Sequence, residues 1–447
     1  MKKPELLAPA GAQSQLVAAV RFGADAVYVG GQRFGLRAYA GNFDDEALCR
    51  ATDYVHAHGR RIHVTLNAFL YNDDLDGLAD AARALERMGA DAAIVADPAA
   101  VEICREVAPR LPLHLSTQAN TLNWRTAAFW HRNGIRRVIL ARELNLEDVR
   151  GIRQNTPEDL EIEAFVHGAV CASYSGRCVL SNYLTGRDAN QGQCAQTCRW
   201  KYALVEEKRP GEYLPVFEDA RGTYFYSAND LCMIAHLREL WRAGVCSFKI
   251  EGRMKTDYYV ATVVGAYRRA IDEMLEHPDA PFDEELLHEV GNASHRKFGT
   301  GFYFTRRPAD PPGAVEYERN ADYIAKVLEV RPDGLALVEQ KNKFLAGETL
   351  QWMSPQGSVE FQCRDMRDEE GNALTDTATL NLSGSSGDII NSLTFTIEED
   401  QVVSYTVTAT GTQAPVISWL AVNGKAVGSE SGFFNKVLED NGGLTLA

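Results

Sequence analysis

Short β-rich runs alternate with segments of helical periodicity through the first 260 residues, and nothing else in the chain narrows its fold as much. Eight runs read as strands: Glu5–Ala8, Ala26–Gly30, Ile62–Asn67, Ala92–Ala96, Leu113–Thr117, Arg137–Ala141, Ile162–Val166 and Ser247–Glu251. Between them lie Gln13–Phe22, Asp44–His58, Asp73–Met88, Pro98–Ala108, Asn123–Asn133 and Asn229–Ala243, whose apolar residues recur at helical spacing. Strand then helix, repeated, predicts an α/β fold of the TIM-like (β/α)8 kind, with the strands closed into a parallel barrel. An open doubly wound sheet is the competing reading. No G-x-G-x-x-G follows the first strand, which weakens the dinucleotide-binding version of that competitor.

Strand spacing is short and even up to the seventh run, after which about eighty residues precede the eighth. In a parallel barrel the chemistry sits at the carboxyl ends of the strands, so an insertion in this loop lands on the active face. The expected organisation is a barrel over residues 1–300 that includes an insertion over 168–228. After Phe302 the pattern changes to Tyr323–Leu328, Leu335–Leu337 and Thr349–Met353, separated by Pro332-Asp333-Gly334 and Ala346-Gly347. These read as strands and turns of a small all-β domain, a β-barrel, over 315–375. Residues 376–447 are Ser/Thr/Gly-rich and alternate apolar with polar, as in Val402–Val407, which marks β-structure without evident chemistry.

A chain of 447 residues exceeds one small core, and 45% hydrophobic with 24% charged residues is ordinary for a globular protein. The start, Met1-Lys2-Lys3-Pro4, has no apolar run suited to a signal peptide, and no later stretch reads as a membrane span, so a cytoplasmic location is expected. A net charge of −15 disfavours indiscriminate binding to a polyanion but leaves room for a local RNA site. Arg132, Arg136 and Arg137 form one basic group, and Arg199, Lys201, Lys208 and Arg209 another; each reads first as a solvated face.

Five of the nine cysteines fall in Cys171-x6-Cys178-x15-Cys194-x3-Cys198 followed by Cys232. In a reducing compartment such clustering points to metal or catalysis rather than disulfides. Cys49, Cys104, Cys246 and Cys363 stand alone and read as buried packing. Zinc favours close pairs, and only Cys194/Cys198 has that spacing. The irregular gaps suit a [4Fe–4S] cluster better, because its corners can be reached from separate loops. Five thiols for four corners leave the choice open, with Cys198 able to replace Cys194 or Cys232. Polar residues at or just past the strand ends are Asn67, Asp97, Gln118, Glu143, His167, Glu251 and Arg253, the positions from which barrel enzymes hold substrates.

The segment Glu163–Cys171, continuing through Tyr174–Ser181, closely resembles the signature of the collagenase-like peptidase family of unassigned mechanism. Leu6–Gly11, Asp25–Gly31, Asn190–Cys194 with Cys198-Arg199-Trp200, and Phe248–Arg253 extend the resemblance, which covers roughly residues 1–375. It implies an iron–sulfur cluster on Cys171, Cys178, Cys194 and Cys232. It also implies oxygen-independent hydroxylation of the wobble uridine of tRNA to 5-hydroxyuridine, with prephenate as the hydroxyl donor. On that reading His167, Glu251 and Arg253 are catalytic, and Asn67, Gln118, Glu143 and Arg177 bind substrate. Prephenate carries two carboxylates, which an arginine pair such as Arg177 and Arg253 would recognise. Tyr174, Trp200 or Tyr202 would stack on the flipped base.

Three alternatives remain at this level. Shorter relatives hydroxylate ribosomal RNA or the ubiquinone ring, and a cluster could also serve a sensor or scaffold without catalysis. A peptidase needs an activated nucleophile or metal-bound water, yet neither H-E-x-x-H nor G-x-S-x-G is present. Cys171 with His167 is the remaining pair, and a thiolate bound to iron is not free to attack a peptide.

Overall fold

The computed structural model describes residues 3–36, 41–171, 173, 177–178, 180–199, 217–219, 222–224, 229–305, 317–332, 334–367, 373–374, 389–398, 401–410, 421–422, 425–426 and 445–446. Strands β1 (Glu5–Pro9), β2 (Ala26–Gly30), β3 (Arg61–Leu66), β4 (Ala92–Val95), β5 (Leu113–Leu115), β6 (Ile135–Ile139) and β7 (Glu161–Gly168) pair side by side in chain order, all parallel. After the insertion come β8 (Asp230–Cys232) and β9 (Ser247–Ile250). β9 closes the sheet by pairing in parallel with both β1 and β7, with Ser247 level with Glu5 on one side and Glu163 on the other. The result is a closed eight-stranded parallel barrel. Every residue of β1 and β2 is buried, as expected of strands covered on both faces.

The helices following the strands are α1 (Gln13–Arg21), α2 (Asp45–Ala57), α3 (Leu75–Met88), α4 (Pro98–Val107), α5 (Trp124–Arg132) and α6 (Leu146–Gln154), then α7 (Leu180–Thr185), α8 (Leu237–Arg242) and α9 (Asp257–Glu276). Side-chain caps start most of them. Asp44 accepts from Ala47 N–H, Asn123 from Thr126, Asn145 from Asp148 and Thr256 from Tyr259, each cap stabilising its helix by about 1 kcal/mol. Helix α9 turns Tyr259, Val260, Val263, Val264, Tyr267 and Ile271 into the core. Each such side chain contributes roughly 1.5–3 kcal/mol on burial.

Local periodicity misreads one segment. Asn229–Ala243 is not a single helix: Asp230–Cys232 is a strand antiparallel to the end of β7, and the helix is confined to Leu237–Arg242. Tertiary pairing decides this. Leu231 and Cys232 sit opposite Gly168 and His167, while the buried Asp230 carboxylate receives Arg296 at 2.6 Å. Arg137 is likewise no part of a solvated basic face. Strand alternation turns it into the barrel interior, where it is 3% exposed, whereas its neighbour Arg136 faces out. Cys49 is exposed, because the buried face of α2 is Leu48, Ala51, Thr52 and Val55.

The chain divides into two compact units, one of residues 1–321 with 353–357 and the other of 322–352 with 358–447. In the second unit Ala325–Val330 pairs antiparallel with Ala336–Gln340, and Ile389–Glu398 with Gln401–Thr410. Phe344, Cys363 and Met366 form a small core there, with Ile324, Leu350 and Leu374 packed against it. Among the described residues no helix is long and apolar enough to cross a membrane.

Candidate active site at the barrel mouth

The carboxyl ends of β7 and β9 meet at Gly168. Glu251 N–H donates to the His167 carbonyl at 2.9 Å, and a Cβ placed on Gly168 would lie 2.4 Å from the Glu251 carbonyl oxygen. With φ at +105°, only glycine fits there. The contact presents Glu251 at the rim. Its carboxylate accepts from the Tyr28 hydroxyl at 2.9 Å and its carbonyl from Tyr259 at 2.9 Å. Arg253, 4% exposed, lays its guanidinium across Gly30, where a side chain on the glycine would strike Nη1, and reaches the Thr65 hydroxyl at 3.5 Å.

His167 is enclosed by the rings of Tyr259, Tyr267 and Phe298. Burial pushes its pKa down to about 3, so the ring is neutral near pH 7. The Tyr267 hydroxyl donates to the Val166 carbonyl at 2.8 Å, so its 3.3 Å contact with His167 Nδ1 requires that nitrogen to carry the hydrogen. The same hydroxyl lies 3.9 Å from the Cys232 sulfur, whose thiol burial raises to about 11.

Beyond β7 the chain passes through Cys171, which is exposed, and Cys178, which is half-buried. Asn190 ties Cys178 down twice: its Oδ1 accepts from Cys178 N–H at 3.0 Å and its Nδ2 donates to the Cys178 carbonyl at 2.9 Å. Asn190 also anchors the insertion to the barrel through its carbonyl, which accepts from Phe69 N–H just past β3. Cys194 Sγ accepts from Gln196 N–H at 3.3 Å, a contact suited to a sulfur acting as acceptor. Cys198 is half-buried on the short turn Thr197–Arg199. Among the described residues no three of His, Cys, Asp and Glu lie close enough to hold a metal ion. Ala172 and Tyr174–Gly176, between the first two thiols, lie outside the described residues, as do Trp200 and Tyr202 named for base stacking.

The remaining candidates divide. Asp97 is a helix cap, its carboxylate accepting from Ala99 N–H at the start of α4. Glu143 is half-buried in the turn after β6. Arg177 donates through Nε and Nη2 to the Gln118 carbonyl at 3.1 and 3.0 Å, which brings the insertion onto the loop after β5. Asn67 donates to Ser116 Oγ at 3.1 Å, tying the tip of β3 to that same loop.

One feature of the barrel is masked in the sequence. Interiors of parallel barrels are filled mostly by branched apolar side chains, yet here Glu5, Arg137, Glu163 and Lys249 meet inside. Arg137 bridges Glu5 and Glu163, and Lys249 reaches Glu163 at 3.0 Å while lying 4.3 Å from the Tyr28 ring centre. Burial, the largest single influence, would raise the Glu5 pKa, but the Arg137 charge and hydrogen bond together with His63 and Arg61 bring the carboxyl down to about 2. His63 and His114 pack edge to face beside them, and burial takes His63 down to about 4. Two-residue alternation in β1, β6, β7 and β9 was the available signal, masked by the apolar residues on the other face.

A closed parallel barrel whose polar side chains converge on the carboxyl ends of its strands, overhung by an insertion from the seventh, is laid out as barrel enzymes are. The chain belongs to peptidase family U32. The model of that family matches residues 11–311, and the model of the family's C-terminal domain matches 319–380. "tRNA hydroxylation protein P" of Escherichia coli (strain K12) is 38% identical over 417 residues, covering 84% of this chain and 91% of the relative. "tRNA hydroxylation protein P1" of Bacillus subtilis (strain 168) is 38% identical over 378 residues, covering 83% and 89%. The "23S rRNA 5-hydroxycytidine C2501 synthase" of Escherichia coli (strain K12) is 39% identical over 272 residues, covering 61% of this chain and 40% of the relative.

Proposed function

We propose that this chain is an RNA-modifying enzyme that hydroxylates the wobble uridine of tRNA to 5-hydroxyuridine without molecular oxygen, using prephenate as hydroxyl donor and an iron–sulfur cluster. The observation that carries the reading is the pair of relatives named for tRNA hydroxylation, matched over more than four fifths of this chain. The relative named as a 5-hydroxycytidine synthase adds support, since it too is named for placing a hydroxyl on a pyrimidine.

Cys171, Cys178, Cys194 and Cys232 are the residues that would hold the cluster, which when bound supplies redox-active iron at the mouth, although no three of these thiols lie close enough to share one metal ion in this structure. Three features support the assignment. Soft thiol donors suit iron–sulfur ligation; β8 delivers Cys232 opposite His167, four residues before Cys171; and Asn190 restrains Cys178 and its loop against the barrel. The protein's own groups then have distinct work. Arg253 supplies a fixed cation at the rim for a donor carboxylate, Arg177 a second from the insertion. Glu251 holds its orientation through Tyr28 and Tyr259 and is placed to accept a proton. Neutral His167 braces Tyr267 and the backbone that carries Cys232.

Mass spectrometry of tRNA nucleosides from cells with and without this protein tests substrate and reaction together, with loss of 5-hydroxyuridine in the deletion as the expected result. Unchanged 5-hydroxyuridine rejects the reading. Iron and acid-labile sulfide in anaerobically purified full-length protein test the cluster separately: both should be present, and fall sharply in Cys178→Ser and Cys194→Ser but not in Cys49→Ser. Iron-free wild-type protein rejects the ligand assignment.

A further inference from the structure

Buried polar atoms are nearly always hydrogen-bonded in folded proteins. Among the described residues eight side-chain N or O atoms are buried without a partner, and five of them lie just past the carboxyl ends of three strands: Asn67 Oδ1 after β3, Gln118 Oε1, Asn120 Oδ1 and Thr121 Oγ1 after β5, and Arg142 Nε after β6. Three of the five are amide oxygens that can only accept, the Thr121 hydroxyl can accept or donate, and Arg142 Nε donates. Around them the backbone is well anchored. Ser116 Oγ accepts from both Asn67 Nδ2 and Gln118 N–H, the Gln118 carbonyl takes both Arg177 donors, and the Thr121 carbonyl accepts from Ala141 N–H. Asn120 holds φ at +52°, a conformation that costs free energy in a residue with a side chain. A loop so restrained, whose side-chain oxygens nevertheless lack donors, is shaped for a ligand that brings donors.

A phosphate or a carboxylate brings only acceptors, which could meet Arg142 Nε or the Thr121 hydroxyl but not the three amide oxygens of Asn67, Gln118 and Asn120. A nucleoside meets these, through its hydroxyls and, for uracil, through the imide N3–H flanked by two carbonyls. Asn67 and Gln118 differ in what they have left to offer. Asn67 has committed its amide hydrogen to Ser116 and presents an acceptor alone. Gln118 is 8% exposed and makes no side-chain hydrogen bond among the described residues, so its whole carboxamide is available. A carboxamide pairs with two adjacent positions of a base edge, one donor and one acceptor.

We propose that the loops after β3 and β5 form the nucleoside pocket of this enzyme, with Gln118 reading the base edge and Asn67 accepting a ribose hydroxyl. Gln118 Oε1 takes uracil N3–H and its Nε2 donates to the C2 carbonyl. That grip leaves the C5–C6 edge, where the hydroxyl is to be placed, facing away from the wall and into the mouth. Reading a flipped base through its Watson–Crick edge is how modifying enzymes select their nucleotide. The proposal rests on the hydroxylase reading and names the residues that make it specific for uridine.

The test compares three versions of one anticodon stem-loop RNA, bearing at the wobble position uridine, N3-methyluridine or 2′-deoxyuridine. Affinity for the full chain is read by fluorescence anisotropy and product by mass spectrometry. The wild-type protein should bind the uridine RNA about tenfold more tightly than the N3-methyl RNA, the size expected for one buried hydrogen bond. Gln118→Leu should bind those two alike while still preferring ribose to deoxyribose, and Asn67→Leu should do the reverse, a pattern that general loosening of the loop would not produce. Equal binding of uridine and N3-methyluridine RNA by the wild-type protein, which needs no variant to measure, overturns the assignment of Gln118. If the uridine RNA is hydroxylated without that preference, the hydroxylase reading survives and the pocket falls; if it is neither bound nor hydroxylated, both fall.

Discussion

The lower barrel and its mouth are both rich in buried polar groups, but they treat them differently. Inside the barrel Glu5, Glu163, Arg137 and Lys249 neutralise one another, with the Ser247 hydroxyl within hydrogen-bond distance of both carboxylates. At the mouth, Asn67, Gln118, Asn120 and Thr121 keep side-chain oxygens that no described residue satisfies. The first arrangement belongs to the fold, since removing any member strands a charge in low dielectric. The second costs stability for as long as nothing binds, which is the usual price of a pre-organised site. A surface hollow of about 370 Å³ at the opposite, amino-terminal end, lined by Arg105, Arg110 and Arg136 among others, lies on the face that in such barrels serves stability.

The sharpest way to break the comparison is Arg137→Leu, which leaves Glu5 and Glu163 buried beside a hydrocarbon. Unfolding free energy from urea titration should fall by about 3–5 kcal/mol, and a fall under 1 kcal/mol would show that the interior charges are not a structural unit. Acid comes next. His63 is held near 4 and His167 near 3, while their unfolded values lie near 6.5, so the unfolded chain takes up protons first and stability declines as pH drops below 6.5. Glu5, held near 2, continues the loss below about 4.5. His63→Gln should remove about 3 kcal/mol of the decline between pH 6.5 and 4, seen as a flatter curve of unfolding free energy against pH; an unchanged slope contradicts a neutral His63.

Gly168→Ala tests the hinge between the two regions. The methyl group meets the Glu251 carbonyl and the positive φ is strained, so a loss of about 2 kcal/mol is expected together with weakened product formation. Wild-type stability in that variant would mean that the β7–β9 rim tolerates displacement. The smallest effect belongs to Asp97→Ala, which removes only a helix cap and should cost about 1 kcal/mol of stability while leaving activity intact. Lost activity with a normal unfolding curve would return Asp97 to the active site.

Much of the barrel is legible in residue order because parallel strands covered on both faces leave long apolar runs, and caps such as Asp44, Asn123 and Asn145 mark where helices start. Segment ends were harder. β5 stops at Leu115, two residues before the expected end, because Ser116 bonds backward to Asn67 and Gln118 N–H and turns the chain. Asp97 and Gln118 look alike in sequence as polar residues just past strands, and only their partners separate a cap from an unpaired carboxamide.

The order of residues alone determined the alternation of strand and helix, the position of the insertion and the grouping of five thiols, since each depends on neighbours along the chain. Closure of the barrel decided the rest. It carried Glu5, Arg137, Glu163 and Lys249 from four separate strands into one interior, and turned Asp230–Cys232 from a helical pattern into a strand beside His167. These outcomes depend on pairing between residues far apart in sequence, where the free energy of satisfying a buried charge or backbone group outweighs local preference.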